Sequence, residues 1–156
     1  MDHIILPALV IGIATGLRSL TGPAAVSWAA CLGGLDLHGS PLAFMGSRVA
    51  VAIFSLLALA EYVVDKLPQT PSRTRLRSLI TRLVLGALCG ASLSGSASGS
   101  LFGGAVLGIV GALIGTFGGY EIRRRLVRSL KVKDGFIAVP EDLIAIGLAF
   151  LAVAQR

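Results

Sequence analysis

Apolar residues in this chain come in long runs separated by short polar breaks. The first run extends from Ile4 to about Leu35 and is interrupted by Arg18-Ser19-Leu20-Thr21-Gly22-Pro23. As one straight helix it would measure roughly 45 Å, against a hydrocarbon core of roughly 30 Å. The pattern therefore predicts a broken helix. Thr21 or Gly22 can cap, Pro23 suits the first helical position, and a second helical piece runs from Pro23 to about Leu32. A loop follows over Gly33–Ser47, then a second span over Val49–Val64 with Arg48 at one end and Glu61, Tyr62, Asp65 and Lys66 at the other. Pro68 and Pro71 make the next stretch a loop. A third span covers Leu79 to about Leu93 with Arg82 one turn inside, and Ser94–Ser100 reads as a short, flexible small-residue linker. A fourth span, Leu101–Tyr120, precedes a basic block, and the last segment runs from Phe136 to Ala154, with a short helix starting at Pro140. The expected fold is all-α: a polytopic transmembrane bundle of five to six helical segments, forming one integral membrane domain over residues 1–156.

Composition agrees with that solvent assignment. Of 156 residues 54% are hydrophobic and 14% charged, with 20 glycines besides, and the mean hydropathy is +0.85. An ordinary soluble domain carries about a quarter charged residues, and disorder requires low hydrophobicity with high net charge; both are excluded. Asp2 and His3 stand where a signal peptide would carry a basic region, so the first run is read as part of the folded protein.

The net charge of +6 admits nucleic acid as a partner, and the placement of the charges argues against it. Eleven of the 14 Lys and Arg fall in two blocks, Lys66 with Arg73, Arg75, Arg77 and Arg82, and Arg123, Arg124, Arg125 and Arg128 with Lys131 and Lys133. Both follow apolar runs directly and lack interleaved aromatics for base stacking. They fit cytoplasmic loops facing anionic lipids under the positive-inside rule. A first run that crosses once then places the N-terminus in the cytoplasm and the C-terminus outside, with five crossings; Pro23–Leu32 as a separate or re-entrant piece makes six helical pieces instead. Tyr62 and Tyr120 fall at the cytoplasmic interface, where aromatic belts form.

Gly104, Gly108, Gly111, Gly115 and Gly119 share one face of the fourth span, and Gly12 with Gly16 repeats the spacing in the first, as Gly86 with Gly90 does in the third. Such faces let backbones approach closely, as in a glycine zipper, either within the chain or across a homo-oligomer seam. An offset of 96 residues aligns Gly12-Ile13 with Gly108-Ile109, and a proline-started short helix follows each glycine face; transporters often carry such internal repeats.

Arg18 is the most informative single residue. A membrane-embedded arginine is expensive and faces a partner or a cavity. Beside it, Thr21 and the helix start at Pro23 offer a hydroxyl, free N–H groups and a positive dipole end, which is an anion-binding arrangement. The alternative is an arginine that snorkels or pairs with Glu61, Glu121 or Glu141. Glu61 and Asp65 share a helix face, able to bind a cation, pass protons or pair with Lys66 and Arg82. Glu121 ends the fourth span, and Glu141 with Asp142 would sit in a first helical turn as dipole-compensating caps.

Enzyme signatures are thin. No nucleophile elbow, Walker loop or His-Glu-x-x-His occurs, so no catalytic residue is assigned, and enzymatic activity is the less favoured reading. His3 and His38 are isolated, and Cys31 and Cys89 sit in apolar surroundings as reduced thiols, so neither a metal nor another cofactor is called for.

Gly16-Leu17-Arg18 with Gly22-Pro23, then Glu61-Tyr-Val-Val-Asp65-Lys66-Leu-Pro68, Arg82 with Gly86-Ala87, and Pro140-Glu141-Asp142-Leu143 resemble the successive motifs of the bacterial membrane-protein family catalogued as domain of unknown function 4126. The chain departs from the family after Pro68, where Gln69–Thr74 replaces an acidic turn. The resemblance implies a bacterial inner-membrane architecture without an activity, and it implies that Arg18, Glu61, Asp65, Lys66, Arg82, Glu141 and Asp142 act together. The expected function is a small, oligomeric transporter or channel-like protein that binds or moves a small anionic solute or lipid head group, with proton or cation coupling through the carboxylates. A structural or assembly protein packing through its glycine faces is the second expectation, and a lipid-modifying enzyme the third.

Overall fold

The computed structural model describes residues 2–64, 76–130 and 134–155. Six α-helices follow one another: α1 (Asp2–Leu17), α2 (Thr21–Cys31), α3 (Arg48–Val64), α4 (Leu76–Ser96), α5 (Leu101–Leu130) and α6 (Asp134–Ala154), with one 3-10 turn at Ala43–Gly46. No strand occurs among the described residues.

Local chemistry sets several boundaries. Helix α2 ends in a Schellman motif: Gly33 is left-handed at φ +82, its N–H donates to the Ala30 carbonyl and that of Gly34 to the Ala29 carbonyl. Ser47 Oγ accepts the Ala50 N–H at the start of α3, and Ser100 Oγ accepts the Gly103 N–H at the start of α5, each an N-cap satisfying an otherwise orphaned donor.

Helix α5 is the axis of the bundle and packs most closely on α1 and α4. Glycines bring the three backbones together. A Cβ added at Gly12 would collide with the Gly108 carbonyl oxygen, one at Gly16 would lie 2.9 Å from the Gly115 Cα, and one at Gly86 would lie 2.8 Å from both the Ala112 Cβ and the Gly108 oxygen. The pairings Gly12 with Gly108 and Gly16 with Gly115 run in the same order, so α1 and α5 are parallel; Gly86 with Ala112 and Gly90 with Gly104 run in opposite order, so α4 and α5 are antiparallel. Helix α6 starts beside the end of α1, and its Ala149 and Ala152 join Ile11, Val26 and Leu93 in the buried core.

Several boundaries differ from the sequence pattern. Helix α2 begins at Thr21, two residues before Pro23, which sits among the first four N–H positions, where its missing donor costs nothing. Helix α6 begins at Asp134, so Pro140 is inside it rather than at its start. Glu141 and Asp142 therefore lie beyond the first turn and do not serve as first-turn caps. Among the described residues no second short helix starts at Pro140, which leaves chance glycine spacing as the reading of the 96-residue offset. Helix α5 continues unbroken through Arg123–Arg128, which are helical rather than loop, and α4 takes in Ser94–Ser96 from the expected linker.

The direction of α1 is a further correction. Helices α1 and α2 do not form one interrupted crossing; Gly22 lies against Thr15, so the chain reverses at residues 18–20 and α2 returns beside α1 as a hairpin. That extra reversal changes the parity. Both the start of α1 and the end of α6 lie at the bundle end that holds the α4–α5 turn, not at opposite ends as one crossing would require.

Large apolar side chains lie on the outside of the bundle as well as in its core, and a few charged ones lie inside. Arg18 is 0% exposed, whereas Leu32 is 76% and Phe102 80% exposed. Phe102, Val106, Val110, Ile114 and Phe117 form an exposed apolar stripe along α5. Leu76–Ser96 and Leu101–Ser129 are long and apolar enough to cross a membrane.

The packing yields a matched pair of variants. A Cβ at Gly108 would collide with the Gly86 carbonyl oxygen and lie 2.8 Å from its carbonyl carbon, whereas one at Gly118 meets nothing within 4 Å. Gly108→Ala should destabilise the protein by about 3 kcal/mol through overpacking of two backbones. Gly118→Ala should leave stability unchanged or raise it by up to about 1 kcal/mol through helix propensity. Unfolding of both variants in mixed micelles checks the contrast.

Candidate functional site

Breaking a helix in an apolar interior exposes carbonyl groups at one end and N–H groups at the other, and each needs a partner. The α1–α2 break supplies both kinds within a few residues, and side chains from four other helices converge on it. At the end of α1, the Leu17 carbonyl accepts a hydrogen bond from Arg82 Nη1 of α4 at 3.0 Å. The Gly16 carbonyl accepts from the same nitrogen and from Thr116 Oγ1 of α5 at 3.2 Å. The Arg82 guanidinium, 2% exposed, thus caps the negative end of α1, and its Nε also donates to Ser78 Oγ at 3.4 Å.

The start of α2 is met by a carboxylate. Glu61 Oε1 accepts from the Ser19 N–H at 2.9 Å and from Ser19 Oγ at 2.8 Å, while Oε2 accepts from the Leu20 N–H at 3.0 Å. This carboxylate lies where the backbone donors and the dipole favour negative charge. Arg18, in the break itself, donates from Nε to Asp142 Oδ1 of α6 at 2.6 Å, and its Nη2 makes an ion pair with the same oxygen. Its guanidinium carbon stands 5.2 Å from the centre of the Tyr62 ring, within cation–π range. Tyr62 Oη and Thr21 Oγ1 share a hydrogen bond of 2.7 Å. At the rim, Glu141 Oε2 lies 3.4 Å from Arg123 Nη1.

Sequence positions far apart thus form one cluster, in which Arg18 pairs with Asp142 while Arg82 and Glu61 meet the backbone of the break. Arg18, Thr21, Glu61, Arg82 and Asp142 meet at the break, with Glu141 beside them. Glu121 does not join: it pairs with Arg124 at 3.0 Å and Arg125 at 2.8 Å along its own helix. Asp65 and Lys66 lie outside the described residues, as does any shared face of Glu61 and Asp65. Arg18 pairs with Asp142, which was not among the carboxylates expected for it. Its position, at the bundle end where α3 finishes and α4 starts, follows from the α1–α2 hairpin.

Five participants escape a reading of the sequence. Tyr62 reads as an interfacial belt residue yet covers Arg18; its position beside Glu61 is the available signal. Thr116, between Gly115 and Gly119, was a polar residue on a glycine-lined helix. Arg123 reads only as part of a basic block, and Ser19 and Ser78 carry no signal. Among the described residues no three His, Cys, Asp or Glu converge so as to hold a metal ion. A cavity of about 190 Å³ lies elsewhere, at the far end of α2, lined by Ala30, Leu35, His38, Gly46 and Ser47 among others.

Removing one partner of a buried charge set strands the others, at about 3–5 kcal/mol. Arg82→Ala should cost that much, because the Gly16 and Leu17 carbonyls at the end of α1 lose their buried partner, whereas Glu121→Gln on the surface should leave stability close to that of the wild type. Equilibrium unfolding in micelles measures both.

No curated protein and no solved structure matches the chain. The profile of the family described as "Domain of unknown function (DUF4126)" matches residues 5–155. The match takes in every residue of the cluster at the α1–α2 break, and the chain belongs to this family.

Proposed function

We propose that the protein is a small multi-pass inner-membrane transporter or channel-like protein that binds or moves a small anionic solute or lipid head group at the α1–α2 break. The observation that carries this reading is the start of α2, where backbone N–H groups and a seryl hydroxyl already hold a carboxylate, that of Glu61. Broken helices in transporters present their N-terminal halves to anionic substrate groups and their carbonyl ends to cations. Here Glu61 occupies the first kind of position and the Arg82 guanidinium the second. Both positions are filled by tethered counter-ions, so an incoming carboxylate or phosphate displaces Glu61 from α2, or Asp142 from Arg18. Protonation of either carboxylate would release its place, which gives a route to proton coupling.

The exposed apolar stripe on α5 and the buried arginines support a lipid surround. With the basic segments in the cytoplasm, the break faces that side, anionic lipids neutralise the Arg123–Arg128 face, and both termini lie outside. The glycine faces of α1, α4 and α5 meet one another within the chain, so a homo-oligomer would use another surface.

A structural or assembly role is the second reading, favoured by the three hydrogen bonds that Glu61 already accepts. Flux separates the two. Proteoliposomes holding the protein should pass acetate or inorganic phosphate above the protein-free rate, and Arg18→Lys, which keeps the charge but loses the planar fork, should lower that flux about tenfold or more. Protein-free rates for acetate, phosphate and chloride with folded wild-type protein would leave only the structural reading.

A further inference from the structure

Helix α3, which carries the carboxylate held at the start of α2, is attached along a single strip. Among the described residues it packs on α2 and on the 3-10 turn. From Val51 onward its buried and half-buried residues are Val51, Phe54, Ser55, Ala58, Glu61 and Tyr62, the spacing of one helix face. Polar contacts pin that strip to α2 and the residues just before it. Trp28 Nε1 donates to Ser55 Oγ at 3.0 Å, Tyr62 Oη meets Thr21 Oγ1, and Glu61 accepts the Ser19 and Leu20 N–H groups. The rest of α3 faces outward. On the flank that carries Glu61, Leu57 and Ile53 precede it at i−4 and i−8, and both are exposed. Toward the middle of α3 the carboxylate is thus bordered by exposed apolar side chains. At 17 residues α3 is roughly 25 Å long, against a hydrocarbon core of roughly 30 Å. In a bilayer Glu61 and Tyr62, in its last turn, therefore stand at the level of the lipid head groups.

We infer that the anion taken at the break is the phosphate of an anionic phospholipid that enters sideways, displacing Glu61 while its acyl chains stay along Leu57 and Ile53. This rests on the proposed binding of an anion at the break and names its class. The Ser19 N–H, the Ser19 hydroxyl and the Leu20 N–H converge on the position that the Glu61 oxygens now fill, and three converging donors suit the oxygens of a phosphate. Tyr62, next to Glu61, covers the Arg18 guanidinium. An ion arriving from water gains nothing from an apolar flank below the donors, whereas an amphiphile keeps its chains there.

Photolabelling tests the route. Phosphatidylcholine proteoliposomes containing phosphatidic acid with a diazirine in its acyl chain are irradiated, and the labelled residues of α3 are mapped by mass spectrometry. Leu56 and Leu59, on the opposite side of α3, are 66% and 61% exposed against 44% for Leu57, so lipid that merely surrounds the protein labels them more. A seated head group reverses that order. Leu57 and Ile53 should then take up about tenfold more label than Leu56 and Leu59, the ratio that one charge-assisted contact supplies. Unlabelled phosphatidic acid should remove the excess, and saturating inorganic phosphate should not. Arg18→Lys should lower it as well, and the comparison of the two flanks in the wild type holds even where that variant does not fold. Equal labelling of the flanks, or loss of the excess on adding inorganic phosphate, overturns lipid entry; Arg18-dependent phosphate flux in the same vesicles would then leave the transport reading standing with an anion from water. Equal labelling without flux overturns both.

Discussion

The interaction on which the structure depends is the capping of a broken helix in an apolar interior. Each unsatisfied backbone group in such surroundings costs several kcal/mol, so the three-residue reversal between α1 and α2 is possible only with partners for the Gly16 and Leu17 carbonyls and the Ser19 and Leu20 N–H groups. Arg82 meets the carbonyls and Glu61 the N–H groups. Both partners are charged, and both match the local dipole end. A neutral partner would satisfy the hydrogen bonds without matching the dipoles, and a charge alone would lack the geometry.

Close backbone packing makes the capping reachable. Arg82 and Thr116 arrive at the Gly16 carbonyl from α4 and α5 because glycines on all three helices leave no side chains between the backbones. The same faces that hold the bundle together thus deliver Arg82 and Thr116 to the break. Arg18 then needs its own counter-charge, and Asp142 provides it from α6, which ties the last helix to the first break. Fold and candidate site are one arrangement here: removing a charge loosens the helices, and separating the helices strands the charges.

Much of this was legible along the chain. The helical runs, the break at Arg18–Pro23 and the glycine faces follow from spacing and from the bilayer's length scale, and α3 was anticipated to within a residue. Arg18, Glu61, Arg82 and Asp142 stood out because a charge inside an apolar run demands a reason. Pairing was not legible, because it depends on which helix ends meet. Whether the first run crosses once or folds into two helical pieces is open along the chain, and the end of the bundle that holds Arg18 depends on it. Pro140 read as a helix start because proline is over-represented at the first helical position, whereas α6 begins six residues earlier, at Asp134. The basic block after Tyr120 read as loop, since charge alone does not reveal that Glu121 supports the helix through i, i+3 and i, i+4 pairs.

The central claim is that residues 124 positions apart act as one electrostatic unit around the break. A double-mutant cycle on Arg18→Met and Asp142→Leu, read by unfolding in micelles, tests it most directly. Coupled buried charges should give an interaction energy of about 2 kcal/mol or more, with the double variant more stable than the sum of the single losses implies. Losses that add to within about 0.5 kcal/mol would mean that the two residues do not share a site.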